Sequence, residues 1–598
     1  MTLPTVLDFA RLRAAYASGL TLPEMVDALL ERLAAADPAI FIARTAPDAL
    51  RAAVADILAR APEPNSLPLW GLPVAVKDNI DVAGLPTTAG CPDFAYEPAA
   101  DAPVVARLKA AGALVIGKTN LDQFATGLNG TRSPYGAPRC VFDARYVSGG
   151  SSSGSGVAVA AGLAAFSLGT DTAGSGRVPA AFNNIVGIKP SPGRVATAGV
   201  VPACRSLDVV TVFAASVADG LEVRRVAEGF EESDPFSRRL SEAALPARLR
   251  VGVPEDDELE FFGNEGYRAL YAASVERART LGAEIVRFDY RPFREAAALL
   301  YEGPWVAERL HAVLPFIDRA PGAMDATVRT IIEGARGMTA VDAFAGRYRL
   351  EALRREAERE WAKVDALLLP TSPDIQTVEA MRGDPVALNA RFGRYTNFAN
   401  FFGCAAIAVP AGFTEAGLPF GVQLVAPSDT DEALAPFAAR LHAAAETGAG
   451  VDRTLQPPAV ADRPTDDIAI AVVGAHLTGM PLNGQLTELG GALLTEARTA
   501  PGYRLYALAG TVPPKPGLVR APGFAGPGIA VEVWRLSPAA FGRFVAAIPQ
   551  PLGIGKLVLD DGSEVSGFLC EPAALDGATE ITEFGGWRTY IASRAQAA

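Results

Sequence analysis

Lys77, Ser151 and Ser175 are the residues of this chain best placed, by type and neighbours, for covalent chemistry. The two serines stand twenty-four positions apart in Gly/Ser loops of SGGSSSGSGVAVAAGLAAFSLGTDTAGSGRVP, residues 148–179. Lys77 closes an apolar run in GLPVAVKDNID. A serine hydroxyl becomes a nucleophile when a base takes its proton and fixed donors receive the oxyanion that its attack creates. Glycine-flanked backbone can supply those donors. Histidine is the usual base, but the three histidines, His311, His442 and His476, all lie outside the glycine-rich loops of the first 455 residues. A Ser-His-Asp arrangement is therefore disfavoured, which leaves a neutral lysine whose pKa has fallen from about 10.4 to roughly 7–8 through burial and neighbours. The strand-like Val74-Ala75-Val76 would draw the Lys77 stem into such a site. From spacing alone the alternative is a surface lysine paired with Asp78 or Asp81.

These residues need a scaffold. Leu72–Val76 and Ala113–Gly117 read as short buried strands, with a helix over Val104–Ala111 between them. Thr21-Leu22-Pro23-Glu24 fits a capping box that opens an N-terminal helix. Strand, helix and strand in this order predict an α/β fold with a mixed sheet covered by helices. Between 262 and 365 the pattern becomes amphipathic helix, as in Gly266–Leu281 and Val341–Trp361, before VDALLLPTSP returns to strand. Such an insert could wall a substrate site. At 598 residues the chain exceeds the roughly 250–300 residues at which single cores stop growing. The Pro-rich stretch from Gln456 to Pro464 marks a linker, giving domains at 1–455 and 467–598 with 456–466 between them. The second unit is rich in short strands: IAIAVVG, YRLYALAG, GIAVEVWRL, GKLVLDDG and EVSGFLCE.

The longest nearly apolar run, Val157–Leu168, is shorter than the roughly 18 residues of a membrane helix. The N-terminus lacks a basic start followed by an apolar core and a cleavage site, so a cytoplasmic location is expected. Cys91, Cys140, Cys204, Cys404 and Cys570 are scattered without a CxxC pair, which predicts free thiols and no zinc site. A net charge of −13 gives no electrostatic footprint for nucleic acid.

Five blocks resemble the amidase signature family: GLPVAVKDNID, GKTNLDQFATG, SGGSSSGS, GTDTAGSGRVPAAFNNIVGIKPSPGRV and GLPFGVQLVAP. They follow the family's order across residues 20–445. The resemblance implies a Ser-cisSer-Lys triad in which Ser175 attacks, Ser151 relays the proton from within a cis peptide, and Lys77 is the ultimate base. It also implies an oxyanion hole of the Thr172, Ala173, Gly174 and Ser175 amides. Two positions depart from the family pattern: Ser153 stands where a glycine is common, and Gln123 where TNxxEF has Glu. With FATGLNGTRSPYGAPR downstream, these changes are similar to the allophanate hydrolase branch.

Leu300–Arg309, LYEGPWVAER, resembles a segment of the same branch and implies substrate binding by Tyr301 and Arg309. On one continuous helix these two would be offset by about 80° and share a broad face. A guanidinium can clamp the carboxylate of a small anion through two parallel hydrogen bonds. Residues 467–598 resemble the second, γ-glutamyl-cyclotransferase-like α+β domain of allophanate hydrolases, carried by Val473–Asn483. The acidic residue of a working cyclotransferase is missing from FVAAIPQPLGIG, and His476 is the candidate polar group, against a structural histidine. The resemblance implies hydrolysis of allophanate (urea-1-carboxylate) to ammonia and carbon dioxide, with the second domain assisting decarboxylation of a carboxyurea-type intermediate. It implies no cofactor or metal, a homodimer, and a functional link to urea carboxylase. A broader amidase, an amidotransferase A-type subunit and an inactive scaffold are the other readings.

Overall fold

Strand after strand, the apolar runs flanking Lys77 and the serine loops assemble one sheet. A computed structural model describes residues 3–246, 248–461 and 467–597, which divide into two units, Met1–Asp462 and Arg463–Ala598. The expected linker at 456–466 lies partly outside the described residues, which omit 462–466.

Among the described residues the first unit holds eleven strands: β1 Phe41–Arg44, β2 Pro73–Lys77, β3 Leu114–Thr119, β4 Phe166–Asp171, β5 Val186–Lys189 and β6 Val209–Ala214. β7 Arg250–Pro254, β8 Glu284–Phe288, β9 Ala366–Pro370, β10 Ala405–Phe413 and β11 Pro419–Ala426 complete it. Their order is β1-β3-β2-β4-β6-β5-β10-β11-β9-β7-β8, with parallel and antiparallel pairs mixed. β2 lies between β3 and β4 and is parallel to both, so every one of its residues is buried. Strands covered on both faces read as continuous apolar runs, which is why Leu72–Val76 and Ala113–Gly117 were legible.

The run Val157–Leu168 is divided between a helix, Ser153–Ala160, and β4. Gly162 makes the break at φ +68°, where a Cβ would stand 1.9 Å from the Thr5 carbonyl oxygen. The capping box at Thr21 and Glu24 opens the helix Leu22–Ala35 as expected.

Two expectations for the insert are corrected. The region 262–365 is not wholly helical, because β8 pairs in parallel with β7 at the sheet edge. β8 is only partly buried and shows no apolar run, and its intervening helix, Glu265–Thr280, dominates the local pattern. Nor do Tyr301 and Arg309 share one helix: Arg291–Glu302 ends at Gly303, and Val306–Arg319 starts after Pro304-Trp305. Proline offers no amide to the preceding turn and disfavours helical backbone in the residue before it.

The second unit has a five-stranded sheet, β13-β16-β12-β18-β17, and a three-stranded one, β15-β14-β19. Its strands are β12 Ile468–Val472, β13 Ala492–Arg498, β14 Tyr503–Ala507, β15 Pro516–Arg520 and β16 Ala530–Leu536. β17 Leu552–Val558, β18 Glu564–Cys570 and β19 Thr579–Glu580 follow. β13, β15 and the two-residue β19 were not anticipated. β13 is an edge strand whose adjacent Leu493 and Leu494 are exposed, and β15 opens with Pro516-Gly517, so neither shows clean alternation. All five cysteines are free and buried. Among the described residues no helix is long and apolar enough to cross a membrane.

Candidate active site

Lys77, the last residue of β2, is fully buried, and its Nζ donates to Ser151 Oγ at 2.7 Å and to Thr170 Oγ1 at 2.8 Å. Thr170 sits near the end of β4, alongside. Burial pulls the Lys77 ammonium down to about 7; Asp122, Asp208 and Asp171 draw it back up, and Arg309 adds to the fall. The surface-pair alternative is overturned. Asp78 instead faces the Lys118 ammonium at 3.3 Å and accepts from Thr88, while Asp81 accepts from Thr87 and Tyr96.

Ser151 follows a cis peptide bond, Gly150–Ser151. The turn around it is clamped by Asp122. One carboxylate oxygen accepts the amides of Asn129 (3.2 Å) and Gly130 (3.0 Å), and the other accepts that of Arg132 (3.0 Å). The Asp122 amide in turn donates to the Ser151 carbonyl at 3.1 Å. A Cβ at Gly150 would fall 2.2 Å from Asp122 Oδ2, so glycine is required by the closeness of the clamp.

Ser175 lies in the loop between β4 and the short helix Val178–Phe182, 4% exposed. Asp171 braces that loop by accepting the Gly176 amide (3.0 Å), Arg177 Nε (2.9 Å) and Arg177 Nη2 (3.0 Å). Burial would raise the Asp171 carboxyl, but the Arg177 guanidinium holds it below the ordinary carboxylate value. Arg177 also donates to Gln423 Oε1, the Thr396 carbonyl and Asn400 Oδ1. Thr172 Oγ1 donates to Asp208, which itself accepts the amides of Ala203 and Cys204. Among the described residues the amides of Ala173, Gly174 and Ser175 donate to no protein acceptor. Gly174 has φ +146°, and a Cβ there would meet Thr396 Oγ1 at 2.4 Å.

Arg309 is 2% exposed, and Nη1 donates to Thr126 Oγ1 (3.0 Å) and the Ala125 carbonyl (3.4 Å). Its Nε and Nη2 have no partner. No carboxylate among the described residues pairs with it. The guanidinium carbon lies 5.4 Å from the centroid of the Tyr301 ring, so the helix break brings together the two residues that a single helix was expected to align. A buried, unpaired guanidinium is costly unless an anion completes it. The Arg309 charge is among those that lower the Lys77 ammonium.

His476 follows β12 in the second unit. Its ring stacks on Phe568 (5.2 Å between centroids), meets the edge of Phe544 (5.1 Å), and pairs through Nε2 with Gln485 Oε1 at 2.9 Å. Burial lowers its pKa. It lines a pocket of about 260 Å³ with Gln485, Lys515, Pro516, Phe544 and Phe568.

Residue spacing did not reveal Thr170, Asp122, Thr126 or the Asp171–Arg177 pair. Asp122 and Asp171 do stand within the motif blocks, and a buried-carboxylate reading of TNLDQF and GTDTAGSGR was the available signal.

A base, a linked hydroxyl, a braced serine loop with free amides and a cation for a substrate anion together suit acyl transfer. Residues 24–435 match the Amidase family, and the chain belongs to it. Residues 468–592 match the allophanate hydrolase C-terminal domain. The chain is similar to the urea amidolyases of Lachancea kluyveri and Saccharomyces cerevisiae, 44% and 42% identical over 549 residues. Those alignments cover 88% of this chain and 30% of each relative, so the chain spans less than a third of their length. It also resembles the solved Kluyveromyces lactis allophanate hydrolase, with a TM-score of 0.77 and 40% identity over 99% of this chain and 100% of that one.

Proposed function

We propose that this chain is an allophanate hydrolase. The observation that carries the reading is Arg309: a buried guanidinium with two nitrogens lacking protein partners, within electrostatic reach of the Lys77–Ser151 pair. Allophanate presents a carboxylate for that cation and, beyond one nitrogen, a carbonyl for attack. Ser175 Oγ adds to the terminal carbonyl while its proton passes through Ser151 to neutral Lys77. The amides of Ala173, Gly174 and Ser175, with that of Thr172, receive the oxyanion. Collapse breaks the bond to the terminal nitrogen, which takes the proton back through Ser151 and leaves as ammonia. Water then hydrolyses the ester and frees Ser175.

Atom balance makes the released product a nitrogen bearing two carboxylates, rather than the carboxyurea type expected from the sequence. It loses carbon dioxide to give carbamate, which breaks down to ammonia and a second carbon dioxide. The pocket of His476 and Lys515 suits this doubly anionic intermediate, so the second domain is proposed to speed its decarboxylation. The proposed setting is the cytoplasm, as a homodimer, supplied by a urea carboxylase.

The test compares ammonia release from allophanate with that from acetamide and malonamide. Allophanate is expected to be preferred, and Ser175→Ala to lose at least about 10³-fold in kcat. Equal or better turnover of the simple amides would overturn the reading. For the second domain, His476→Ala in the full chain is expected to leave ammonia release from the first step within about threefold while carbon dioxide appears more slowly. Parallel release of both products in that variant would remove His476 from the chemistry.

A further inference from the structure

We infer that Gln123 is a positioning residue for substrate recognition: its side-chain amide locks the loop that holds Arg309 to the helical insert that carries Arg309. Gln123 is 1% exposed, and its two amide atoms serve different segments. Oε1 accepts the Asp325 amide at 2.7 Å, and Nε2 donates to the Gly90 carbonyl at 3.2 Å. From the Gln123 backbone the chain runs into Phe124 and Ala125, both at positive φ (+50° and +52°). That turn aims the Ala125 carbonyl and Thr126 Oγ1 at Arg309 Nη1. Left-handed backbone at two successive non-glycine residues persists only where the surroundings enforce it.

From the Gln123 side chain the connection runs the other way. Asp325 caps the helix Ala326–Glu333 by accepting the amides of Thr327 and Val328. That helix packs on Val306–Arg319 through Val328, Ile332, Val313 and Phe316, in a separate apolar cluster that also takes in Phe124. Gln123 thus ties both ends of one loop: the acceptors of Arg309 and the helix pair on which Arg309 rides.

The chemistry of the position selects an amide. A carboxylate could still accept from Asp325, but its second oxygen would oppose the Gly90 carbonyl, acceptor against acceptor. There is little slack, since a Cβ on Gly90 would already lie 3.2 Å from the Gln123 Cα. A protonated carboxyl would restore both bonds, its O–H donating to Gly90. The charged or titratable groups on the segments that touch Gln123 are Asp122, Arg132, Cys91 and Asp325.

This inference rests on the proposed function only for its choice of substrate. The test measures KM and kcat for allophanate from pH 6.5 to 9 in the full chain, for the wild type, Gln123→Glu and Gln123→Met. At pH 9 the expected result for Gln123→Glu is a KM raised about tenfold with kcat changed less than threefold. As pH falls and the buried carboxyl protonates, in a window that burial can place at roughly pH 7–9, that KM should return toward the wild-type value. Gln123→Met, which lacks both bonds and any charge, should keep a raised KM at every pH. Amide hydrogen exchange across residues 306–333 supplies a reading without substrate, with faster exchange expected in Gln123→Met. Wild-type KM in both variants, or loss of kcat at constant KM, overturns the inference. If the wild type fails on allophanate while exchange still quickens, the proposed substrate falls and the positioning role stands. Unchanged exchange removes the role.

Discussion

Lys77→Met is expected to lower kcat by about 10³- to 10⁴-fold while the protein remains folded. Methionine is close to the lysine stem in size and carries no charge, so the buried end of β2 accepts it. What it lacks is the amine that hydrogen-bonds Ser151 Oγ. The same residue sets the pH dependence. With the Lys77 ammonium lowered to about 7 by burial, kcat/KM of the wild type should rise tenfold per pH unit below that value and level off above it. The residual activity of Lys77→Met should lack this limb. Stability follows with a definite sign. Below about pH 7 the amine is protonated in the folded and unfolded chains alike. Between about 7 and the ordinary lysine value of 10.5, the unfolded chain holds a proton that the folded one has released. Folding therefore gains stability as pH rises through that window. A pH–rate profile and thermal unfolding of both proteins check these outcomes, and activity within tenfold of wild type would exclude Lys77 as the base.

The second large effect concerns the substrate's charge. Arg309→Ala should reduce kcat/KM for allophanate by about 10²- to 10³-fold, because the carboxylate would be left in a buried site without its cation. Turnover of acetamide, which carries no carboxylate, should change little. Arg309→Lys should recover only a small part, since an ammonium cannot present two parallel donors. The informative quantity is the ratio of the two substrates' kcat/KM. An equal fall for both would move Arg309 from recognition to general support of the fold.

Much of the site was legible because its reacting residues lie in short contiguous blocks. Lys77 ends an apolar strand, Ser151 follows Gly149-Gly150 and Ser175 sits between Gly174 and Gly176, so local pattern marked them as candidates, while their separate roles came from the family resemblance of the blocks. Legibility failed where tertiary contact decides. Thr170 reads as an ordinary strand residue until β4 is laid beside β2. The clamp made by Asp122 depends on amides from Asn129 to Arg132 folding back around it. Periodicity ran straight through Gly303-Pro304-Trp305 and joined two helices into one, although the proline signalled the stop. In the sheets β8 and β13, half-wet edge strands, carry no continuous apolar run, and the buried interior strands β5, β6, β10 and β11 were not singled out either.

Arg177, which braces the loop of Ser175, draws acceptors from Thr396, Asn400 and Gln423 as well as from Asp171. These partners lie more than two hundred residues downstream. During translation, Lys77, Ser151 and Ser175 have all emerged from the ribosome long before Gln423 exists. The growing chain thus carries every proposed reacting group while still missing the acceptors that hold the Ser175 loop in place. Activity is in effect licensed by near-completion of the domain, and a chain terminated before residue 396 would carry the motif without the site.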